Sequence, residues 1–244
     1  MNLGVMQPYF FPYLGYFQLI GATDKFILHD HSHFIKRRWI HRNRILIRQT
    51  GIIYITVPLK KASSNKRISE IEIEYSVDWQ RKILKTFMLN YKHAHYFHEI
   101  YPFIETILRT KHQTIAELNF DSIRAVCNLL EIDTAIVYGS EPYFEIEEAL
   151  KSQPSSPYDL KTQRVIAVCK QEGADTYTNA IGGQALYNKQ IFADNGIRLQ
   201  FIQTLPYQYP QLTKTFYPDL SILDVLFHCG VKDTKKLLSY YELI

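Results

Sequence analysis

The stretch Val5-Met6-Gln7-Pro8-Tyr9-Phe10-Phe11-Pro12-Tyr13-Leu14-Gly15-Tyr16-Phe17-Gln18-Leu19-Ile20 constrains the fold more than any other. A short apolar run gives way to an aromatic loop broken by two prolines, and then to a glycine-led apolar segment. That order predicts a strand, a loop and a helix. In an open α/β sheet such a loop presents backbone N–H groups and side chains to a ligand, so a site is expected there first.

The rest of the chain continues in the same style. Lys25 to Asp30 reads as a second strand, and Ile52 to Val57 as a β-branched strand closed by Pro58. The Lys60 to Arg67 segment reads as a basic turn, and Ile68 to Ile73 alternates apolar and acidic residues as a half-buried strand would. Residues 79–130 have helical spacing, enough for three helices. Asp133 to Tyr138 then reads as a strand, and 141–158, with its Ser-Gln-Pro-Ser-Ser-Pro run, as a mobile connection. A helix over Lys161 to Gln171, a strand end at Asp175 to Asn179, a helix from Gln184 to Asn195 and a strand from Arg198 to Gln203 complete the alternation. The expected fold class is α/β, one domain over 1–244 with a mainly parallel sheet and a helical middle segment.

Composition narrows the class. A hydrophobic share of 46% in 244 residues supports a substantial core. The surplus of +4 is too small and too spread to argue for nucleic acid, although phosphorylated metabolites fit it. Cys127, Cys169 and Cys229 are odd in number and far apart, which suggests neither a disulfide framework nor a CxxC metal site and points to a reducing cytoplasm. No leader-like start and no apolar run near the length of a membrane span is seen.

Three constellations could carry chemistry. His29, His31 and His33 have the i, i+2, i+4 spacing that puts side chains on one face of an extended strand, where they would suit a metal or line a polar pocket. Lys36, Arg37, Arg38, Arg42, Arg44 and Arg48 form the densest basic stretch, either a phosphate or carboxylate clamp or a solvated face, with Trp39 able to stack on a base or sugar or to pack in the core. Gly182-Gly183 could bring backbone N–H groups close to phosphate, or be an ordinary tight turn. No GxSxG-type nucleophile motif is present, so a covalent acyl-enzyme is not indicated.

These residues together resemble the WbqC-like family of bacterial O-antigen and polysaccharide clusters. The likeness rests on Met6-Gln7-Pro8-Tyr9-Phe10-Phe11-Pro12-Tyr13-Leu14-Gly15-Tyr16-Phe17, on Asp30 followed by Phe34-Ile35-Lys36, on Trp39 with Arg42-Asn43-Arg44-Ile45, and on Thr56-Val57-Pro58. Gly173-Ala174-Asp175-Thr176-Tyr177, Gly182-Gly183, Tyr209-Pro210-Gln211 and Ser221-Ile222-Leu223-Asp224 extend it through the C-terminal third. Where the family pattern reads Asp-Asp-Val-Gln-Phe, this chain has Asp30-His31-Ser32-His33-Phe34, so the three histidines are not a family feature. A second likeness concerns Tyr13-x-Gly15-Tyr16, which resembles a degenerate form of the HxGH signature of nucleotidyltransferase-type sheets, with tyrosine at both histidine positions. Tyrosine can hydrogen-bond phosphate but cannot supply an imidazolium near neutral pH.

The resemblance implies an N-acyltransferase that moves an acyl or aminoacyl group onto the amine of a nucleotide-linked amino sugar. The donor would be an acyl thioester of coenzyme A or of an acyl carrier protein, and no metal or other cofactor is implied. Asp30 is assigned as base or orienting carboxylate, with Lys36 and Arg42 on phosphate or oxyanion. Gln7 and Asn43 would hydrogen-bond the sugar. Tyr9, Tyr13, Tyr16, Trp39, Arg44, Gly182 and Gly183 complete the expected substrate-binding set, while Asp224, in an apolar segment, reads as structural. The alternatives are an ATP-dependent enzyme forming an acyl-adenylate and a non-catalytic scaffold in a polysaccharide-assembly complex.

Overall fold

In the computed structural model, which describes residues 1–47, 51–138, 141–152 and 158–244, β1 (Asn2–Met6) leads through the aromatic loop into α1 (Leu14–Gly21) and back to β2 (Lys25–Leu28). A two-stranded hairpin of β3 (Arg42–Ile47) and β4 (Gly51–Thr56) follows. Then come α2 (Trp79–Tyr91), α3 (Phe97–Arg109) and α4 (Ile115–Leu129), the three helices that the spacing predicts. The chain returns through β5 (Ala135–Val137), α5 (Glu141–Ser152) and α6 (Leu160–Gln171) to β6 (Thr176–Ala180), α7 (Lys189–Asp194) and β7 (Arg198–Thr204). It ends in α8 (Ile222–Leu237) and β8 (Tyr241–Leu243).

The result is a mixed α/β architecture around a six-stranded sheet of order β5-β2-β1-β6-β7-β8, parallel except for β8. Alternate side chains serve two cores, as the period-two geometry of a strand requires. Phe26, Leu28 and Ile202 join α1, α2, α3, α4 and α8 on one face. Leu3, Ile27, Tyr177, Leu199 and Phe201 meet Val165, Val168, Cys169 and Phe192 of α6 and α7 on the other. Strand order reverses between β1 and β6, and at such a switch point the carboxyl ends of the strands leave a crevice.

Four sequence expectations are corrected. Ile68 to Ile73 is not a strand: Ile68–Glu70 forms a 3₁₀ turn because the Glu70 carboxylate accepts the Arg67 N–H at 2.7 Å. The segment 141–158 is not a plain connection, since α5 fills 141–152, while 153–157 lie outside the described residues, as does Arg48. The helix expected from Gln184 begins only at Lys189, where the Asn188 side chain accepts the Gln190 N–H at 2.8 Å. The three histidines do not share a strand face. β2 ends at Leu28, and the chain turns as Ser32 Oγ donates to the His29 carbonyl at 3.0 Å.

All three cysteines are free and buried. Among the described residues no helix is long and apolar enough to cross a membrane.

Candidate functional site

The loop after β1 is fixed from several sides. Asn119 Nδ2 donates to the carbonyls of Pro8 (2.9 Å) and Ile40 (2.7 Å), and Asn43 Nδ2 to those of Phe10 (3.0 Å) and Phe11 (2.7 Å). Ser221 Oγ adds a bond to the Phe11 carbonyl, the Ile222 N–H one to Pro12, and the Tyr16 hydroxyl one to Gln7, each at 2.8 Å. This web holds Phe11 at φ 40°, a left-handed conformation that a side-chain-bearing residue keeps only when its surroundings over-determine it. Phe10 and Phe11 are fully buried, while Tyr9 and Tyr13 face a cleft.

That cleft consists of two cavities of about 520 Å³ and 440 Å³ which share Tyr9, Tyr13, Trp39 and Ala180 as common walls. Both open at the carboxyl ends of the parallel strands. Met6 ends β1 and Gln7 follows it, His29 follows β2, Asn179 and Ala180 end β6, and Gln203 and Thr204 end β7. The size suits a ligand of nucleotide dimensions.

The larger cavity has aromatic walls of Tyr9, Tyr13, Trp39, Tyr143, Tyr177 and Tyr187. Its cations are Lys161 and Arg164, one turn apart on α6, whose start is fixed by the Asp159 carboxylate accepting the N–H groups of Lys161 (2.9 Å) and Thr162 (3.1 Å). No carboxylate lines it among the described residues. The rings of His29 and His31 meet edge to face there with centroids 4.0 Å apart. Burial first, and then the charge of Arg164, holds the His31 pKa down to about 4; burial, then His31 and Arg164, hold that of His29 well below the usual imidazole value. Both imidazoles are therefore uncharged at neutral pH. His33 is exposed and pairs with Arg67 instead. Among the described residues no three metal-ligating side chains converge.

Gly182 and Gly183 line the same cavity in a 3₁₀ turn after β6. A Cβ on Gly183 would lie 2.8 Å from Asn179 Nδ2, so glycine here lets the Asn179 amide keep its bonds to the Tyr177 hydroxyl (3.1 Å) and the Ala180 N–H (2.7 Å).

The smaller cavity is lined by Pro12, Gly15, Asn43, Arg44, Ile181, Ile202, Gln203, Thr204 and Asp219 besides the shared walls. Arg44 lies over the Trp39 ring at 5.3 Å and donates to the Asp219 carbonyl at 2.9 Å. Burial, with the charges of Tyr9 and Asp219 adding to it, pushes the Tyr13 phenol up to about 12, so it stays a neutral donor.

The cleft thus gathers Gln7, Tyr9, Tyr13, Trp39, Asn43, Arg44, Gly182 and Gly183 from the expected set. Four others line neither cavity. Tyr16 is 1% exposed, packed against Tyr9, Phe17 and Phe26. Asp30 is buried, and its charge, after burial, helps to push the Tyr138 phenol up to about 12. Lys36 is exposed, and Arg42 lies over the Tyr54 ring at 4.4 Å. Asn43 does reach the wall, but its amide is committed to the loop carbonyls and, through Oδ1, to the Arg44 N–H at 2.8 Å. The groups that the sequence reading passed over are Lys161, Arg164, Asn179 and Asp219, which stand more than a hundred residues from the aromatic motif.

Charge is unevenly distributed along the chain. Residues 31–69 contain ten Lys and Arg and no Asp or Glu, whereas the remaining 18 basic and 24 acidic residues leave the rest of the chain at −6. Much of this segment folds together: the Phe34 N–H donates to the Lys66 carbonyl at 2.9 Å, and Ile35, Trp39 and Arg44 reach the cleft.

A model of the WbqC-like protein family matches residues 7–236. The "Uncharacterized protein Rv1507c" of Mycobacterium tuberculosis is 31% identical to this chain over 234 residues, which cover 95% of each. No solved structure matches.

Proposed function

The chain belongs to the WbqC-like protein family, and on that premise we propose that it binds a nucleotide-linked amino sugar and transfers an acyl or aminoacyl group to the sugar's amine in surface-polysaccharide assembly. The observation that carries this reading is the larger cavity, which joins aromatic walls to Lys161 and Arg164 without a carboxylate among the described residues. Guanidinium and ammonium groups pair with phosphate oxygens, and tyrosine and tryptophan rings supply flat apolar faces for a base and a sugar. Neutral His29 adds a ring nitrogen for hydrogen bonding without adding charge. Gln7, whose Nε2 is held by Ser32 Oγ at 2.9 Å, keeps its Oε1 for a sugar hydroxyl.

The donor is an acyl thioester, of coenzyme A or of an acyl carrier protein. No cysteine lines either cavity, and Ser32 Oγ is engaged with Gln7 and with the His29 carbonyl, so the amine attacks the thioester directly. Holding both reactants in one cleft removes much of the entropic part of the barrier. Asp30, away from the cavity walls, is a positioning residue in this reading: its carbonyl accepts the Ser69 N–H at 2.9 Å and steadies the turn that carries His29 and His31. The degenerate Tyr13-x-Gly15-Tyr16 motif argues against adenylate formation, because the Tyr16 hydroxyl is spent on the Gln7 carbonyl.

Ligand-induced stabilisation tests the proposal. A nucleotide-linked amino sugar at 100 times its dissociation constant raises the unfolding free energy by about 2.7 kcal/mol. The expected result is stabilisation by amino-sugar nucleotides; stabilisation by ATP alone, or by none of these ligands, overturns it.

A further inference from the structure

Asp219 is the one carboxylate lining the two joined cavities among the described residues. It sits between β7 and α8, outside the motifs picked out in the sequence, at φ 54° in the left-handed region. Its carbonyl is held by Arg44, but its carboxylate makes no hydrogen bond or ion pair among the described residues. The nearest cation on the same wall, Arg44, is already committed to that carbonyl and to the Trp39 ring. The carboxylate's charge reaches Tyr13, on the wall shared by both cavities, and Tyr207 beyond.

The two ends of the cleft differ in charge across a waist of Tyr9, Tyr13 and Trp39: Lys161 and Arg164 stand at one end, and the exposed Asp219 stands beside Arg44 at the other. A ligand that carries both phosphate and ammonium fits such a site in one direction only, because the reversed pose sets like charges together. Resting on the amino-sugar reading above, we propose that Asp219 recognises the substrate amine and accepts its proton during transfer. The ammonium first gives one proton to solvent. As the nitrogen attacks the thioester carbonyl, the C–N bond forms and the C–S bond breaks. The second proton passes to Asp219, which returns it to the departing thiolate, so the products are an amide and a free thiol. Phosphate contacts fix where the ligand sits, and Asp219 fixes which end reacts.

The test compares two probes, thymidine diphosphate 4-amino-4,6-dideoxyglucose and its 4-hydroxy counterpart, on the wild type and on Asp219→Asn. Asparagine tolerates the left-handed backbone, so the variant keeps the loop. Binding is read by calorimetry. The wild type is expected to prefer the amino probe by roughly tenfold or more, the value of one hydrogen bond between charged partners. Asp219→Asn is expected to erase that preference and leave affinity for the hydroxy probe unchanged. Asp219→Gly, which relaxes the backbone altogether, should behave in the same way. If both variants retain the preference, Asp219 does not recognise the amine, although the cleft remains a nucleotide-sugar site. If the wild type binds neither probe, the amino-sugar reading falls and takes this assignment with it.

Discussion

The Tyr91 hydroxyl donates a 2.6 Å hydrogen bond to the Asp224 carboxylate in a fully buried setting, and the same oxygen accepts the Leu46 N–H at 2.8 Å. One phenol thereby ties α2, the β3 strand and α8 together. Tyr209 (2.5 Å) and Gln211 (3.1 Å) satisfy the other carboxylate oxygen. Tyr91→Phe strips a buried charge of one donor and leaves the Leu46 N–H without its acceptor, at an expected cost of about 2–3 kcal/mol. Urea unfolding with an unchanged slope and a lowered midpoint is the expected signature; an unchanged midpoint would show that water replaces the hydroxyl.

Asn43 and Asn119 hold the aromatic loop by three of its carbonyls, and Asn119 ties it to the carbonyl of Ile40 as well. Asn43→Ala leaves buried carbonyls of Phe10 and Phe11 short of a donor and should destabilise the fold by about 2–4 kcal/mol. Because Tyr9 and Tyr13 hang from that loop, nucleotide-sugar affinity should fall as well. A variant that loses stability but binds at full strength would show that the tyrosines are placed by other contacts.

Arg164→Ala and Lys161→Ala test the phosphate end of the cleft. Each deletes a charged donor, which corresponds to about 1.5–3 kcal/mol, or roughly ten- to a hundredfold in affinity. The loss should be equal for amino and hydroxy forms of the sugar nucleotide, which separates this pole from the Asp219 pole. Equal affinity in the variants and the wild type would place the phosphates elsewhere.

Acid should weaken the fold through the histidines. His31 and His41 are held down to about 4 and His29 well below the usual value, each chiefly by burial, whereas all three titrate near 6.5 once unfolded. The unfolded chain then binds more protons between about pH 6.5 and 4, so this stability is complete above the unfolded value and is lost as pH falls through that window. Each such proton contributes a slope of about 1.36 kcal/mol per pH unit. Replacing His29 and His31 by Gln should leave only the His41 share of the slope in urea midpoints taken from pH 7.5 to 4.5. An undiminished slope would mean that the two imidazoles are charged in the folded protein.

The parts of this fold legible in the sequence are those decided locally. The apolar run of β1, the prolines at 8 and 12, and the β-branched β4 each carry their own signal. What escaped depends on partners distant in the chain. β3 reads as Arg-Asn-Arg, a polar string that becomes a strand because β4 pairs with it along its length. α8 is interrupted by Gly230 at φ 66°, where the Tyr96 ring occupies the space a Cβ would need, and this breaks the helical period. At the site, the sequence points to Asp30 rather than its neighbours, yet the turn after Leu28 sends His29 and His31 toward the cleft and Asp30 toward Tyr138. Lys161 and Arg164 look like an ordinary solvated helix face until α6 is laid against the β1–β6 junction.

The acid-free segment 31–69 concentrates positive charge in one stretch of the chain, and Trp39 and Arg44 of that stretch line the cleft. A field of this kind acts before contact. It raises the encounter rate of an anionic partner by roughly 10- to 1000-fold and gives that rate a steep dependence on ionic strength. At cellular salt the Debye length is about 8 Å, so such an attraction works only over roughly the last nanometre of approach. Within that range an anionic ligand would be turned to lead with its charge, before any single hydrogen bond has formed.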